Sequence, residues 1–133
     1  MCPVDLNGDH ALKMISLVMA KADEMNRSVT ICIRDRHDNL VAHIRMKNAP
    51  LGSVDLACQK TRSSALFSEP SAAFKAFPGI ELSNGIISNL RGGLPLWTSS
   101  GVSAGSIGVP GGQTGEEDEM LALLAVAKIN EII

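Results

Sequence analysis

Tyrosine is absent from this 133-residue chain, and one Trp and three Phe bring the aromatic share to only 3%. A buried core must therefore be assembled from Leu, Ile, Val, Met and Ala. The rings on which unpaired bases usually stack are missing as well. Charge of one sign is also lacking: 12 Lys and Arg stand against 14 Asp and Glu, a formal net charge of −2 with no basic cluster. That balance excludes the electrostatic footprint of a nucleic-acid binder. No apolar run approaches the roughly 20 residues of a membrane span. The start, Met1-Cys2-Pro3-Val4-Asp5, has no basic segment leading into an apolar one, so no secretory leader is expected. Cysteine is scarce, and the three present (Cys2, Cys32 and Cys58) are odd in number and without CxxC spacing. A disulfide framework is thus not expected, and a cytoplasmic location is. Cys32 and Cys58 read as small buried hydrophobes.

What is there is ordinary globular composition, 45% apolar and 20% charged, at the size of one domain spanning 1–133. Met14, Ile15, Val18, Met19, Ala22 and Met25 fall at helical spacing, which predicts an amphipathic helix over 9–25 with Asp9 as its N-cap. Residues 28–34 (SVTICIR) and 40–46 (LVAHIRM), separated by a polar turn, predict a β-hairpin. Ser53 is the expected cap of a helix over 54–67, with Val54, Ala57, Cys58, Thr61, Ala65 and Leu66 as its apolar side. Pro70 ends it. Short helical turns are expected over 71–77 and from Ser83 to Leu90. Strands are expected at 94–99 and 102–109. Pro95 pushes the first towards a sheet edge, and Gly105 and Gly108 mark a bulge or close backbone approach in the second. Thr114 and Glu117 have capping-box spacing ahead of a last helix that is apolar around most of its circumference, and so expected to be buried on more than one side. The order predicts an α+β fold, an antiparallel sheet covered by helices.

Residue patterns for chemistry are thin. The stretch from Gly101 to Gly112 lacks the Lys of a phosphate-binding loop and the GxGxxG of a dinucleotide site, and four carboxylates follow it. Gly101-Val-Ser103-Ala-Gly105 matches GxSxG, but no histidine follows to complete a triad. Glu116 and Glu119 share a helix face and can hold a hard metal ion, although acidic residues also favour a positive helix end without one. His10, His37 and His43 show no i+3 or i+4 pairing, so a preformed zinc site is not expected. No sequence feature ties Cys58 to a histidine. His10 opens a Met-containing amphipathic helix, where an imidazole can ligate a tetrapyrrole metal with Met14 one turn further on. Arg91, beside the amides of Gly92 and Gly93, can hold a small carboxylate or phosphate.

Four segments together are more specific. They are Asn39 to Met46 (NLVAHIRM), Ala49 to Ala57 (APLGSVDLA) with Lys60 after it, Arg91 to Leu96 (RGGLPL), and Gly105 to Gly112 (GSIGVPGG) followed by Glu116 to Glu119. In order and spacing they resemble the GlcG/HbpS family of haem-binding or haem-degrading-like domains, whose fold is similar to the C-terminal domain of PduO-type corrinoid adenosyltransferases. The resemblance implies a three-layer-like α/β sandwich around a central antiparallel sheet, and self-assembly to homo-oligomers, dimer to octamer. It also implies haem or, in some members, corrinoid as ligand, and service to small-polyol or hydroxy-acid pathways. Arg91 stands where the family has a first glycine, and Pro110 where it often has serine. If the first-helix histidine of some tetrapyrrole-binding relatives applies here, His10 is the candidate. Three functions follow as expectations: a non-catalytic tetrapyrrole-binding accessory protein, an enzyme or enzyme accessory for a small anionic metabolite, or a structural oligomeric scaffold without cofactor.

Overall fold

The computed structural model describes residues 5–74 and 86–133. The elements run α1 (Gly8–Glu24), β1 (Thr30–Asp35), β2 (Leu40–Arg45), α2 (Ser53–Phe67), a 3-10 turn (Ser71–Phe74), β3 (Gly93–Trp97), β4 (Ser103–Gly108) and α3 (Gly115–Ile132). The four strands form one antiparallel sheet in the order β2-β1-β4-β3. The two hairpins therefore join through β1 and β4, and β3, with Pro95, lies at an edge as expected. Helices α1 and α3 pack on each other over one face of the sheet and α2 covers the other. The expected α+β sandwich is the architecture found. Expectations for residues 75–77 and the cap at Ser83 lie outside the described residues.

Side chains alternate across a strand, so the register sorts residues onto two unlike faces. Ile31 opposes Ile44, Ile33 opposes both Ala42 and Ile107, and Leu94 opposes Ile107. These join Met14, Val18, Leu96, Val109, Leu121 and Ile129 in the aliphatic core under α1 and α3. The intervening positions, Thr30, Cys32, Arg34, Ser106 and Gly108, face α2.

Two expectations about helix burial are corrected, one on each face. Helix α2 buries Ser53, Ala57, Lys60, Thr61, Ser63 and Ser64, while Leu66 is exposed. Its inward side is polar because the sheet beneath it is polar: Thr30 and Ser53 hydroxyls bond at 2.6 Å, and Ser106 Oγ donates to Thr61 O at 2.9 Å. The approach is close enough that a Cβ on Gly108 would sit 2.6 Å from Ala57 O. Among the described residues helix α3 fully buries one stripe, Asp118, Leu121, Ala122, Ala125 and Ile129, and leaves Met120 and Leu123 exposed on its far side.

The caps differ in detail as well. Asn7, not Asp9, caps α1: its side chain accepts from the His10 N–H, and His10 Nδ1 accepts from the Asn7 N–H. Gly52 occupies the cap position of α2 without a side-chain bond, while Ser53 Oγ donates to Pro50 O. Thr114 caps α3 as expected, its Oγ1 accepting from the Glu117 N–H at 3.1 Å.

Candidate functional site

The four carboxylates that open α3 are each met by a cation from another element. Arg91 spans Glu116 (3.3 Å) and Glu119 (2.8 Å). Arg27, just after α1, holds Glu117 at 2.8 Å and Gln113 at 2.7 Å. Lys60 of α2 reaches Asp118 at 2.9 Å and the Val109 carbonyl at 3.3 Å, and is only 1% exposed. Asp118 in turn accepts from the Gly112 N–H. Burial pushes the Lys60 ammonium below the usual lysine range, and the Asp118 hydrogen bond works against that. The Arg27 guanidinium, followed by the Gln113 N–H, holds the Glu117 carboxyl below the usual carboxylate range.

These pairings bear on two sequence readings. Glu116 and Glu119 do share a helix face, but that face carries Arg91, whose guanidinium stands where a metal ion would have to sit. Arg91, Gly92 and Gly93 do not form an open anion cradle. The Gly93 N–H donates to Ser71 Oγ, and the Gly92 carbonyl accepts from the Val109 N–H. Gly92 has φ +123°, and a Cβ there would lie 2.5 Å from Val109 O and 2.9 Å from Lys60 Nζ. The glycine pair admits the Lys60–Asp118 bridge through the seam between sheet and α3.

Ser103 begins β4, and its hydroxyl donates to Gly105 O at 3.2 Å, within its own strand. Its GxSxG match has no part in a nucleophile elbow. Met14 is fully buried in the aliphatic core, so its sulfur faces no ligand-accessible surface. His10 is half-buried at the start of α1, engaged in the Asn7 capping box.

Among the described residues an accessible concavity lies elsewhere, between the outer sides of α1 and α3. A groove of about 610 Å³ is formed by Leu12, Lys13, Ser16, Leu17 and Ala20 of α1 with Lys128, Glu131 and Ile132 of α3. It continues past Leu17 and Ala20 to Leu124 and Ala127. Leu12 is 57% exposed and Leu123, one turn before Ala127, 53%. The groove is thus an aliphatic floor with lysines at its rim. His10 precedes Lys13 by three residues and Leu17 by seven, which sets it on the same side of α1. Periodicity could not reveal this groove, because it forms only where two helices meet side by side.

Sequence spacing also missed a cluster on the α2 side of the sheet. His43 opposes Cys32 across the β1–β2 ladder, and α2 lays Cys58 over both. One donor atom from each lies within 4.8 Å of the others, with Cys58 Sγ 3.6 Å from His43 Nδ1. One of the scattered histidines, His43, and two of the cysteines read as small buried hydrophobes, Cys32 and Cys58, converge here through tertiary structure. Burial pushes the Cys32 thiol up to about 11, partly offset by its hydrogen bond with Thr61, and burial, with Arg34 nearby, lowers His43 below the usual histidine range.

Known proteins place this architecture. The family model described as "Haem degrading protein HbpS-like" matches residues 6–127. The chain belongs to the HbpS-like family. Among solved structures, Klebsiella pneumoniae protein ORFY is 28% identical, with TM-score 0.86 over 96% of this chain and 92% of that one. A double mutant of HbpS from Streptomyces reticuli is 25% identical, with TM-score 0.84 over 96% and 88%. A haem complex of PduOC, 24% identical, shares the fold with TM-score 0.87 over 96% of each chain. No curated protein matches the sequence. Among the described residues no helix of this HbpS-like protein is long and apolar enough to cross a membrane.

Proposed function

We propose that this protein is a haem-binding accessory protein whose ligand lies in the α1–α3 groove. The observation that carries the reading is the groove's chemistry: aliphatic Leu12, Leu17, Ala20 and Ile132 below, with Lys13 and Lys128 at the rim. A flat apolar macrocycle carrying two carboxylates suits such a surface, since its ring displaces water from leucine while its acids reach ammonium groups. Lys128 is held by an exposed pair with Glu131 at 3.6 Å, which a ligand carboxylate can replace at little cost. Membership of the HbpS-like family and the haem complex known for PduOC support the same ligand over a corrinoid.

If haem binds there, His10 is the residue on this side of α1 whose imidazole would hold its iron. Its Nδ1 now accepts from the Asn7 N–H. Coordination through Nε2 needs the proton on Nδ1, so the Asn7 bond must give way and the first turn of α1 must loosen. Met14 has no place in this arrangement.

The exposed leucines in and beside the groove, Leu12 and Leu123, also suit self-association to a homo-oligomer, which sedimentation with and without haem would measure. Titration of haem into the protein tests the main reading. A Soret band that rises to one equivalent and shifts in His10→Ala is expected, with weaker binding in Leu17→Glu. A spectrum identical to free haem, or binding indifferent to Leu17→Glu, overturns it.

A further inference from the structure

The Cys32, His43 and Cys58 cluster lies on the opposite side of the sheet from the groove and is independent of the haem reading. We propose that these three side chains form a binding site for a thiophilic d10 cation, zinc(II) or copper(I), held by two thiolates and one imidazole. Three arguments support it.

The first is geometry. Bond lengths of about 2.3 Å to sulfur and about 2.0 Å to nitrogen place the donors of a bound ion roughly 3.5–4 Å apart. The present donors all lie within 4.8 Å of one another, and one pair is already at 3.6 Å. Side-chain adjustments of under about 1 Å complete the set, with no change of backbone. Each donor comes from a different element, β1, β2 and α2, so the site is fixed by the sheet register and the α2 packing rather than by a mobile loop.

The second is polar accounting. His43 Nε2 is buried and has no hydrogen-bond partner among the described residues. An imidazole paired through one nitrogen only, against a thiol, is a poorly satisfied buried group. Coordination through Nδ1, the nitrogen already 3.6 Å from Cys58 Sγ, replaces that weak thiol contact with a strong bond and gives both sulfurs the same partner, while Nε2 keeps its proton.

The third is charge. Arg34 lies two residues beyond Cys32 on the same face of β1, and Arg62 lies one turn beyond Cys58 on α2. Asp38 meets both, at 2.7 Å and 3.3 Å. The Arg34 guanidinium works against the burial that pushes the Cys32 thiol up to about 11, and so lowers the cost of forming the thiolate that a bound ion needs. Two thiolates cancel the charge of zinc(II) and leave an anionic centre with copper(I), and a neighbouring cation tolerates either. Soft sulfur donors select these ions over magnesium, calcium or manganese. No fourth His, Cys, Asp or Glu joins the group among the described residues, so the centre is three-coordinate from protein. Cys58 and His43 are half-buried, which gives the ion an entry side between β2 and α2.

The test uses reduced, metal-free protein under anaerobic conditions, with cobalt(II) as the spectroscopic probe. One equivalent of cobalt is expected to give a sulfur-to-cobalt charge-transfer band in the near ultraviolet, bleached by zinc(II). A chromophoric chelator competition measures copper(I), and comparison of the two arms identifies the preferred ion. Cys2→Ser should retain the band. Cys58→Ser and His43→Gln, both at half-buried positions, should lose it and release zinc at least about tenfold more readily, while their circular dichroism and haem titration stay as in the parent. Failure of the parent to take up either ion overturns the proposal, as does uptake unaffected by Cys58→Ser and His43→Gln. A Cys32–Cys58 disulfide in the protein as isolated overturns it too. None of these results bears on the Soret band.

Discussion

The two faces of the sheet are held in different ways. Under α1 and α3, Ile31, Ile33, Leu96, Ile107, Leu121 and Ile129 are fully buried and make only apolar contact. Under α2, hydroxyls and backbone carbonyls do the joining: Thr30 with Ser53, Ser106 with Thr61, and Ser63 with Ser88. An aliphatic layer tolerates small losses of volume gradually, whereas a polar layer fails at single atoms, because a buried group without its partner keeps its whole desolvation cost. The Lys60–Asp118 bridge ties the layers together, running from α2 past Gly92 to α3.

Substitutions can break this contrast at points of decreasing severity. Lys60→Ala leaves Asp118 buried without its cation and should cost about 3–5 kcal/mol in denaturant unfolding. The double change Lys60→Met with Asp118→Leu should recover much of that loss. Equal damage from the single and double variants would mean that Lys60 acts through packing alone. On the aliphatic side, Ile33→Val should cost about 0.5–1.5 kcal/mol, with the sheet intact by circular dichroism.

Smaller effects belong to the exposed ion pairs. Arg27 depresses the folded-state carboxyl of Glu117, so that pair contributes stability above the unfolded value of 4.5 and loses it as pH falls through the lower folded value. Glu117→Gln should therefore flatten the acid limb of the stability–pH curve and leave the neutral region nearly parallel to the parent. Arg91→Ala should produce the least change in thermal midpoint, and that change should vanish in high salt because its partners are solvated. A loss as large as that of Lys60→Ala would show that the Arg91 contacts are more than surface pairs.

Much of the fold was legible in advance. The two hairpins and three long helices lie within a few residues of their expected bounds, since alternation and helical spacing are local signals. Edge placement of β3 followed from Pro95, and close approach at Gly108 from its lack of a side chain. The apolar side of α2 was not legible. Cys58, Ala65 and Leu66 resemble an apolar stripe, but the neighbouring sheet face is polar, and only pairing decides which face a helix meets. The groove, and the pairing of Arg91 with Glu116 and Glu119, were not legible for the same reason: they depend on partners that folding supplies.

Sequence alone therefore determined the elements, their order and the family signature from Gly105 to Glu119, because caps, turns and periodicity act within a few residues. Tertiary structure decided which charges are spent on one another, where two helices leave a groove, and that Cys32, His43 and Cys58 meet. Those facts depend on strand register and helix packing, which bring together residues up to 90 positions apart, as with Arg27 and Glu117. A chain read one neighbourhood at a time carries no direct mark of such distances.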